Sequence, residues 1–367
     1  QTGKDTQNYL TLTPDHKMIN IRGAQIVDTE IHEILDKNEA VAIAQYIPQQ
    51  TKLTKKSSLG YLLGGLMTDG HIHLSKTHGE VQFIQKPTEE KQEFITKMNN
   101  CLKENYSKAF SETRKTESSG IIRGKKVAGN ANAYRCYSKE IAEKLIKEEQ
   151  DIINAVLKAD DIFLFNFLAG VIDGDGTYNN GRVSIYISKE NLLHAVVVSC
   201  LRLNIIPQIT KNRTINNLQI VEKLNEISKY TKRVKCKDNR NIGTRFFNTR
   251  QLFDQSSFFN SDSNNRAKRN LLIDEANIIA KLKLIKDKKL KENLEKIMKS
   301  DLRQLRASKV KEKGTEEVYN ITVAKNHNYI VFTSKYTPLV VNNCHAAIIS
   351  RELGIPCVVG TIDGTVK

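Results

Sequence analysis

Two short texts in the chain repeat one another: LLGGLMTDG at residues 62–70 and LAGVIDGDG at residues 168–176. Each sets one aspartate, Asp69 or Asp175, before a glycine at the end of an apolar run, and the two stand 106 residues apart. Carboxylates with no cysteine or histidine beside them are hard oxygen donors. They suit Mg²⁺ or a similar divalent cation, which keeps several waters and meets phosphate oxygens. Brought together, the pair would support attack of water on a phosphodiester, with the metal stabilising the attacking and leaving oxygens.

The elements that must position these groups are helices. Each repeat reads as an apolar helix stopped by Gly70 or Gly176, where a glycine takes the left-handed conformation that ends a helix. Gly64, Gly65 and Gly170 lie inside the helical text, each at a cost of about 1 kcal/mol relative to alanine. Close packing of the two helices through these small residues offsets that cost and brings Asp69 and Asp175 side by side. A carboxylate in the last turn opposes the helix dipole by roughly 0.3–1 kcal/mol, and two neighbouring carboxylates repel. A divalent cation removes both objections. One copy alone reads as an ordinary core helix with an Asp-Gly turn; two copies, spaced as pseudo-twofold halves of a basic chain, favour a site.

On these residues the chain resembles the LAGLIDADG homing endonucleases. The second copy departs from the nine-residue signature only at Val171 and Gly174, and the first departs more, with Met67 at the first acidic position. Asp69 and Asp175 occupy the second acidic position, which in the family binds metal. The resemblance implies a saddle of antiparallel β-ribbons in the major groove of double-stranded DNA, with the aspartates beneath the scissile phosphates. It also implies a monomer of two pseudo-symmetric halves. HIHLSKTHGEVQFIQK and TYNNGRVSIYISK, after the two motifs, carry polar residues at alternating positions that can reach phosphates and base edges. The family often adds a basic residue near each metal site: Lys211, in LNIIPQITKNR, is the candidate in the second half, and Lys125 or Lys126 in the first.

A second chemistry is written at the edges. Residues 1 to about 53 read as short β-stretches that open mid-pattern, as though the first part of a domain stood upstream, and strand patterns return at about 301–341. One all-β domain split by an insertion would give this arrangement. Here the chain resembles inteins. LTLTPDHKMI holds Thr13 and His16 in the T-x-x-H block that polarises the upstream scissile peptide. EVYNITVAKNHNYIVF places Asn320 at the usual aspartate position and His327 at the assisting histidine, and VVNNC supplies Asn343 as the cyclising residue and Cys344 as the first downstream residue. The chemistry needs these types: a carboxamide that attacks its own peptide carbonyl and a thiol that accepts an acyl chain. Asn342 replaces the penultimate histidine of most inteins and Asn320 is neither acid nor base, so cyclisation is expected to be slow or to lean on His327. The first nucleophile is expected upstream of Gln1.

Beyond Asn343, CHAAIISRELGIPCVVGT resembles the phosphohistidine segment of phosphoenolpyruvate synthases, with His345 as the implied phosphoryl carrier. Its 24 residues are too few to fold alone. They read as host sequence covalently attached to the splicing element.

Composition agrees with a polyanionic partner: 57 Lys and Arg against 41 Asp and Glu give a formal net charge of +16. Six cysteines lie far apart without a C-x-x-C pair, which argues against a disulfide scaffold or structural zinc. With no signal peptide and no apolar run of about 18 residues, a cytoplasmic protein without a membrane partner is expected. The fold expected is mixed: an α/β (α+β) LAGLIDADG endonuclease with a pseudo-twofold saddle of antiparallel strands, inserted in an all-β Hint (intein) splicing domain. The boundaries read as 1–56 (first splicing segment), 57–240 (endonuclease), 241–300 (a helical, lysine-rich accessory region with one amphipathic helix over about 270–300), 301–343 (second splicing segment) and 344–367 (host). Alternative readings are an insert that binds DNA without cutting it, or a phosphotransfer enzyme working through His345.

Overall fold

The computed structural model describes residues 8–49, 55–122, 125–212, 215–239, 245–253, 272–308, 323 and 327–342. In chain order its elements are β1 (Lys17–Arg22), β2 (Gln25–Glu30), α1 (Ile31–Asp36), β3 (Ala40–Ala44), α2 (Ser57–Asp69), β4 (Gly70–Leu74), β5 (Gly79–Gln85), α3 (Glu89–Tyr106), β6 (Ser111–Ile122), β7 (Lys125–Tyr137), α4 (Lys139–Gln150), α5 (Ile152–Lys158), α6 (Asp161–Asp175), β8 (Gly176–Asn179), β9 (Arg182–Ile187), α7 (Glu190–Arg202), β10 (Gln208–Asn212), β11 (Ile215–Ile220), α8 (Leu224–Ser228), β12 (Phe246–Asn248), α9 (Thr249–Leu252), β13 (Leu272–Asp274), α10 (Glu275–Leu282), α11 (Lys288–Lys299), β14 (Leu302–Arg306), β15 (Asn328–Phe332) and β16 (Pro338–Asn342). They form two compact units: the described residues of Tyr46–Ile242 make one, and those of Gln7–Gln45 and Gly243–Lys367 the other.

The first unit is built twice. A helix, a hairpin, a second helix and a second hairpin follow one another from α2 to β7 and again from α6 to β11. The two antiparallel sheets have the same strand order, β4-β5-β7-β6 and β8-β9-β11-β10. Alternation sets their inner faces: Val81 and Phe83 are buried on β5, and Val183, Ile185 and Ile187 on β9, while Ile84 and Tyr186 face out.

Helices α2 and α6 are apolar around nearly their whole circumference, as helices surrounded by protein must be. They meet backbone to backbone. A Cβ added to Gly64 would stand 2.8 Å from Val171 N, one on Gly170 3.0 Å from Gly65 N, and one on Gly60 2.6 Å from Phe163 O. Gly65 serves a different contact from the one its sequence suggests: its missing side chain makes room for Met98 of α3, whose Sδ would be 2.5 Å away. Gly70 and Gly176 also depart from expectation, with extended φ of −97° and −79°. Each chain runs straight from helix into strand, and glycine is required by space, since a Cβ would strike Leu66 or Ile172 one turn back.

The second unit centres on a six-stranded antiparallel sheet, β14-β3-β16-β1-β2 with β15 also paired to β16. Its strands come from both sides of the Tyr46–Ile242 unit. Residues 245–253 and 272–299 belong to this unit, where the sequence reads as a separate accessory region: Phe247, Leu252, Ile278, Leu294 and Ile297 share one core with Ile21 and Ala24. The unit is therefore mixed α/β, where strand patterns alone give an all-β reading. The single helix expected over about 270–300 is a short strand and two helices. Asp274 and Asp287 start the helices separately by accepting the N–H of Asn277 at 2.9 Å and of Leu290 at 3.1 Å. Buried Gln251 completes the tie, its Nε2 lying 2.9 Å from Asn20 Oδ1 and 3.0 Å from Ala40 O while its Oε1 accepts Ala40 N–H at 2.8 Å.

Both edges of the intervening unit return to one place. Gln45 N–H donates to Asp301 O at 2.7 Å, and Arg245 Nη1 donates to Ser300 O at 2.7 Å. A chain joining Gln45 to Arg245 through a short Gly-Ser linker should melt cooperatively in a calorimeter. Extending the deletion to residue 300 strips Phe247, Leu252, Phe253, Ile273, Ile278, Leu294 and Ile297 from the core they share with Ile21 and Ala24, at about 1.5–3 kcal/mol each, and should abolish the transition.

Candidate active site

Asp69 and Asp175 end α2 and α6 and meet because those helices do. Gly174 abuts Thr68, and a Cβ on it would lie 3.4 Å from Asp69 Oδ2. Asp69 is half-buried and Asp175 more exposed. Burial, and then the charge of Asp175, push the Asp69 carboxyl up to about 6, against the charges of Lys91 and Arg233. Burial also raises Asp175, opposed by Arg233, Lys91 and Lys189. Two oxygen donors that resist ionisation together gain from a divalent cation, so the donor set fits one. Among the described residues no group of three or more His, Cys, Asp or Glu is gathered to hold a metal; a cation on this pair would complete its shell with water and substrate oxygens.

The surroundings of the two aspartates differ. Gln85, buried at the end of β5, donates its Nε2 to Asp69 Oδ2, and Lys91 on the first turn of α3 donates to Gln85 Oε1. In the other half the register pairs Gly176 with Ile185 as Gly70 pairs with Phe83, so Ile187 holds the place of Gln85. There the neighbourhood is made by Arg233 and Asp173. Arg233 donates to the carbonyls that end α6, at 2.9 Å to Ile172, 3.0 Å to Gly174 and 2.7 Å to Gly176. A guanidinium on the orphan carbonyls of a helix end offsets the dipole that Asp175 opposes. Asp173 is fully buried and holds the loop that carries Arg233, accepting Tyr61 Oη–H at 2.7 Å, Arg233 N–H at 3.0 Å and Val234 N–H at 2.9 Å. Met67, at the matching place in α2, cannot anchor a loop; its carbonyl instead accepts Lys189 Nζ at 2.9 Å.

Lys211 does not join this group. It lies exposed on β10, the edge strand farthest from β8, and the chain enters β8 directly from Asp175. The cations that act on the carboxylates are Lys91, Lys189 and Arg233, which no local text marks.

In the second unit, strand ends gather two of the residues read as splicing groups. β16 lies between β1 and β15, with Met18 opposite Val341 and Asn328 opposite Asn342. Its C-terminal end therefore runs out beside the starts of β1 and β15, just behind which stand His16 and His327. Thr13 O accepts His16 N–H at 3.1 Å, holding the T-x-x-H turn closed. Burial lowers the His16 pKa, against the charge of Asp15, and so favours the neutral ring; Nε2 is buried and, among the described residues, has no hydrogen-bond partner. Asn320, Asn343, Cys344 and His345 lie outside the described residues.

The family described as LAGLIDADG-like domain matches residues 163–235, from α6 to the Arg233 loop, and the PEP-utilising enzyme mobile domain matches residues 342–367. The chain is 32% identical over 393 residues to the "Probable phosphoenolpyruvate synthase" of Methanocaldococcus jannaschii, a match that covers 99% of this chain and 31% of that protein. These matches fit an intein-like LAGLIDADG insertion in a phosphoenolpyruvate synthase.

The chain thus spans less than a third of that relative's length. Among solved structures, mesophilic variants of the homing endonuclease I-DmoI are similar at 18% identity and TM-score 0.36, covering 47% of this chain and 93% of theirs. I-DmoI in complex with DNA and Mn gives 18%, 0.34, 47% and 93%. I-WcaI bound to its DNA recognition sequence gives 16%, 0.35, 52% and 90%. No helix among the described residues is long and apolar enough to cross a membrane.

The raised Asp69 value makes a stability prediction for the Tyr46–Ile242 unit. The fold holds a proton up to about pH 6 that the unfolded chain releases near its ordinary 3.8, so stability is lost as pH rises across that window and the loss is complete above it. In EDTA at about pH 7.5, Asp69→Asn should raise the melting temperature by a few degrees, and at about pH 4 it should change little. An equal effect at both values would contradict the raised carboxyl.

Proposed function

We propose that the Tyr46–Ile242 unit is a site-specific, double-strand DNA endonuclease set inside a self-splicing element of a phosphoenolpyruvate synthase. The observation that carries the nuclease reading is the α2–α6 contact, which gathers Asp69 and Asp175 at the ends of two matching half-units. Asp69 and Asp175 would hold Mg²⁺ or a similar divalent cation, which when bound polarises the phosphodiester and offsets the charge of the transition state. Gln85 fixes the Asp69 carboxylate, and Lys91 fixes Gln85. Arg233 and Lys189 keep positive charge beside an otherwise acidic point. The exposed side chains of the two sheets, among them His71, His73 and Tyr137 on one and Thr177, Arg182 and Tyr186 on the other, supply polar groups for phosphates and base edges. The formal charge of +16 favours DNA over a neutral ligand. One chain carries both halves, so the nuclease acts as a monomer, in the cytoplasm.

The splicing reading rests on the strand ends of the second unit, which we read as a Hint domain. Asn343 is the next residue in sequence after β16, whose C-terminal end runs beside the starts of the elements that follow His16 and His327. Its side-chain nitrogen attacks its own main-chain carbonyl carbon, a succinimide forms, and the bond to Cys344 breaks. The departing amine takes a proton from the side of His327. Neutral His16 serves the upstream peptide, Thr13 holds the turn that carries it, and the Cys344 thiol accepts the upstream acyl chain. In the sequence block Asn320 replaces the usual aspartate and supplies no acid. Excision returns residues 344–367 to the host enzyme, with His345 as its phosphoryl carrier.

In Mg²⁺ the protein should linearise a plasmid that carries the uninterrupted host-gene site. Asp69→Asn and Asp175→Asn should each slow cleavage by at least ~100-fold while leaving DNA binding in place. Undiminished cutting by Asp175→Asn would refute the metal assignment, and binding without cutting by the unaltered chain would reduce the unit to a DNA-binding insert. With the upstream sequence restored, Asn343→Ala should stop release of the downstream segment; normal release would put the splice boundary elsewhere.

A further inference from the structure

One face of the β1–β2 hairpin carries Asn20, Thr29 and His16. The strands run antiparallel with Asn20 opposite Val27 and Met18 opposite Thr29, and Ile31 N–H donates to His16 O at 2.9 Å, which carries the ladder one rung past Lys17. Alternation then puts Asn20, Met18 and His16 on the same face as Thr29. Asn20 is fully buried and satisfied: its Nδ2 donates to Glu39 Oε2 at 2.7 Å, and its Oδ1 accepts Gln251 Nε2 at 2.9 Å. Toward the start of β1 this changes. Thr29 is only 4% exposed, and among the described residues neither its hydroxyl nor buried His16 Nε2 has a hydrogen-bond partner.

A buried polar atom left unpaired costs the desolvation of that group, so two on one face call for an account. Met18 also stands opposite Val341, which puts both orphans beside the C-terminal end of β16. His16 and Thr29 are diagonal neighbours across the ladder, roughly 7–8 Å apart, within reach of one bound peptide group. The chemistry of the pair suits such a group. A threonine hydroxyl donates to a carbonyl oxygen, and a neutral imidazole whose Nε2 holds the lone pair accepts from an N–H.

We propose that Thr29 is a further binding residue of the splicing centre, whose hydroxyl donates to the carbonyl oxygen of the upstream scissile peptide while His16 faces that peptide's nitrogen. The inference rests on the splicing reading of this unit and deepens it. In the acyl shift a thiol or hydroxyl of the upstream nucleophile adds to that carbonyl carbon, the C–N bond breaks, and the amine leaves with the proton that the nucleophile gave up. Negative charge gathers on the carbonyl oxygen as the nucleophile adds. A donor already desolvated and aimed there stabilises the transition state more than the bound peptide. The T-x-x-H text does not reach Thr29, which meets His16 only through the hairpin register.

The first step is read alone in a precursor with the upstream sequence restored and Asn343→Ala blocking release. Hydroxylamine cleaves the thioester or ester that forms and frees the upstream segment. Thr29→Val should slow that cleavage by about 10²-fold, and Thr29→Ser should recover most of it. Exchanging an unpaired buried hydroxyl for a methyl should not lower the melting temperature. Release of the downstream segment, followed in a chain that keeps Asn343, should hold its rate. Unaltered upstream cleavage in Thr29→Val, with His16→Ala still blocking it, overturns the assignment and leaves the splicing centre standing. Equal slowing of both steps marks the hydroxyl as structural and also overturns it. Should Thr29→Val lose its cooperative melt, Thr29→Ala is read in the same way. No hydroxylamine product from a precursor with Thr29 and His16 unaltered, or unaltered cleavage in His16→Ala, removes the splicing reading and this assignment together.

Discussion

Helices α2 and α6 approach as closely as they do because glycine faces backbone at Gly60, Gly64 and Gly170, and Gly174 leaves room for the Thr68 side chain. Everything at the carboxylate site depends on that approach. It makes the two helix ends coincide, and with them two groups of like charge at the negative ends of two dipoles. The rest of the neighbourhood is compensation: Gln85 and Lys91 on one aspartate, Lys189 on the carbonyl of Met67, Arg233 across the last carbonyls of α6. Compensation is incomplete, since the Asp69 carboxyl still stands well above its ordinary range. That residual cost is what a bound cation would relieve, and it ties the geometry to the proposed chemistry.

The second unit obeys a different constraint. Its sheet takes strands from both sides of the Tyr46–Ile242 unit, and its core takes apolar side chains from residues 245–299. Arg245 plays here the part that Arg233 plays in the first unit, donating to Ser300 O at 2.7 Å and pairing with Glu275. The contacts named here are made by residues before Tyr46 or after Ile242, so the second unit's core is assembled by the segments that flank the first unit in sequence.

Much of this was legible in the sequence because it is local or repeated. The LLGGLMTDG and LAGVIDGDG texts announce two equivalent helices, and alternation over VQFIQ and RVSIYI announces strands. The aspartates were legible because a repeat marks what it keeps. Gln85, Lys189 and Arg233 were not, because each reaches its partner through tertiary folding, and nothing around TKRVKC distinguishes Arg233 from other surface basic residues. Lys211 illustrates the opposite error: a polar residue on a strand is visible in sequence, but which edge of the sheet the strand takes is not. Gly70 and Gly176 were read for handedness, whereas crowding by the preceding turn fixes them. Asp274 and Asp287 carried a helix-start signal that the lysine-rich periodicity around them obscured.

The adjacency of Asp69 and Asp175 can be measured without DNA or metal. Carboxyl ¹³C resonances of aspartate-labelled protein, followed through a pH titration in EDTA, report each group directly. Asp69 should titrate at about 6 and move toward its ordinary value when Asp175→Asn removes the neighbouring charge. An Asp69 that titrates near 3.8, or that ignores the substitution at Asp175, would contradict the shared site.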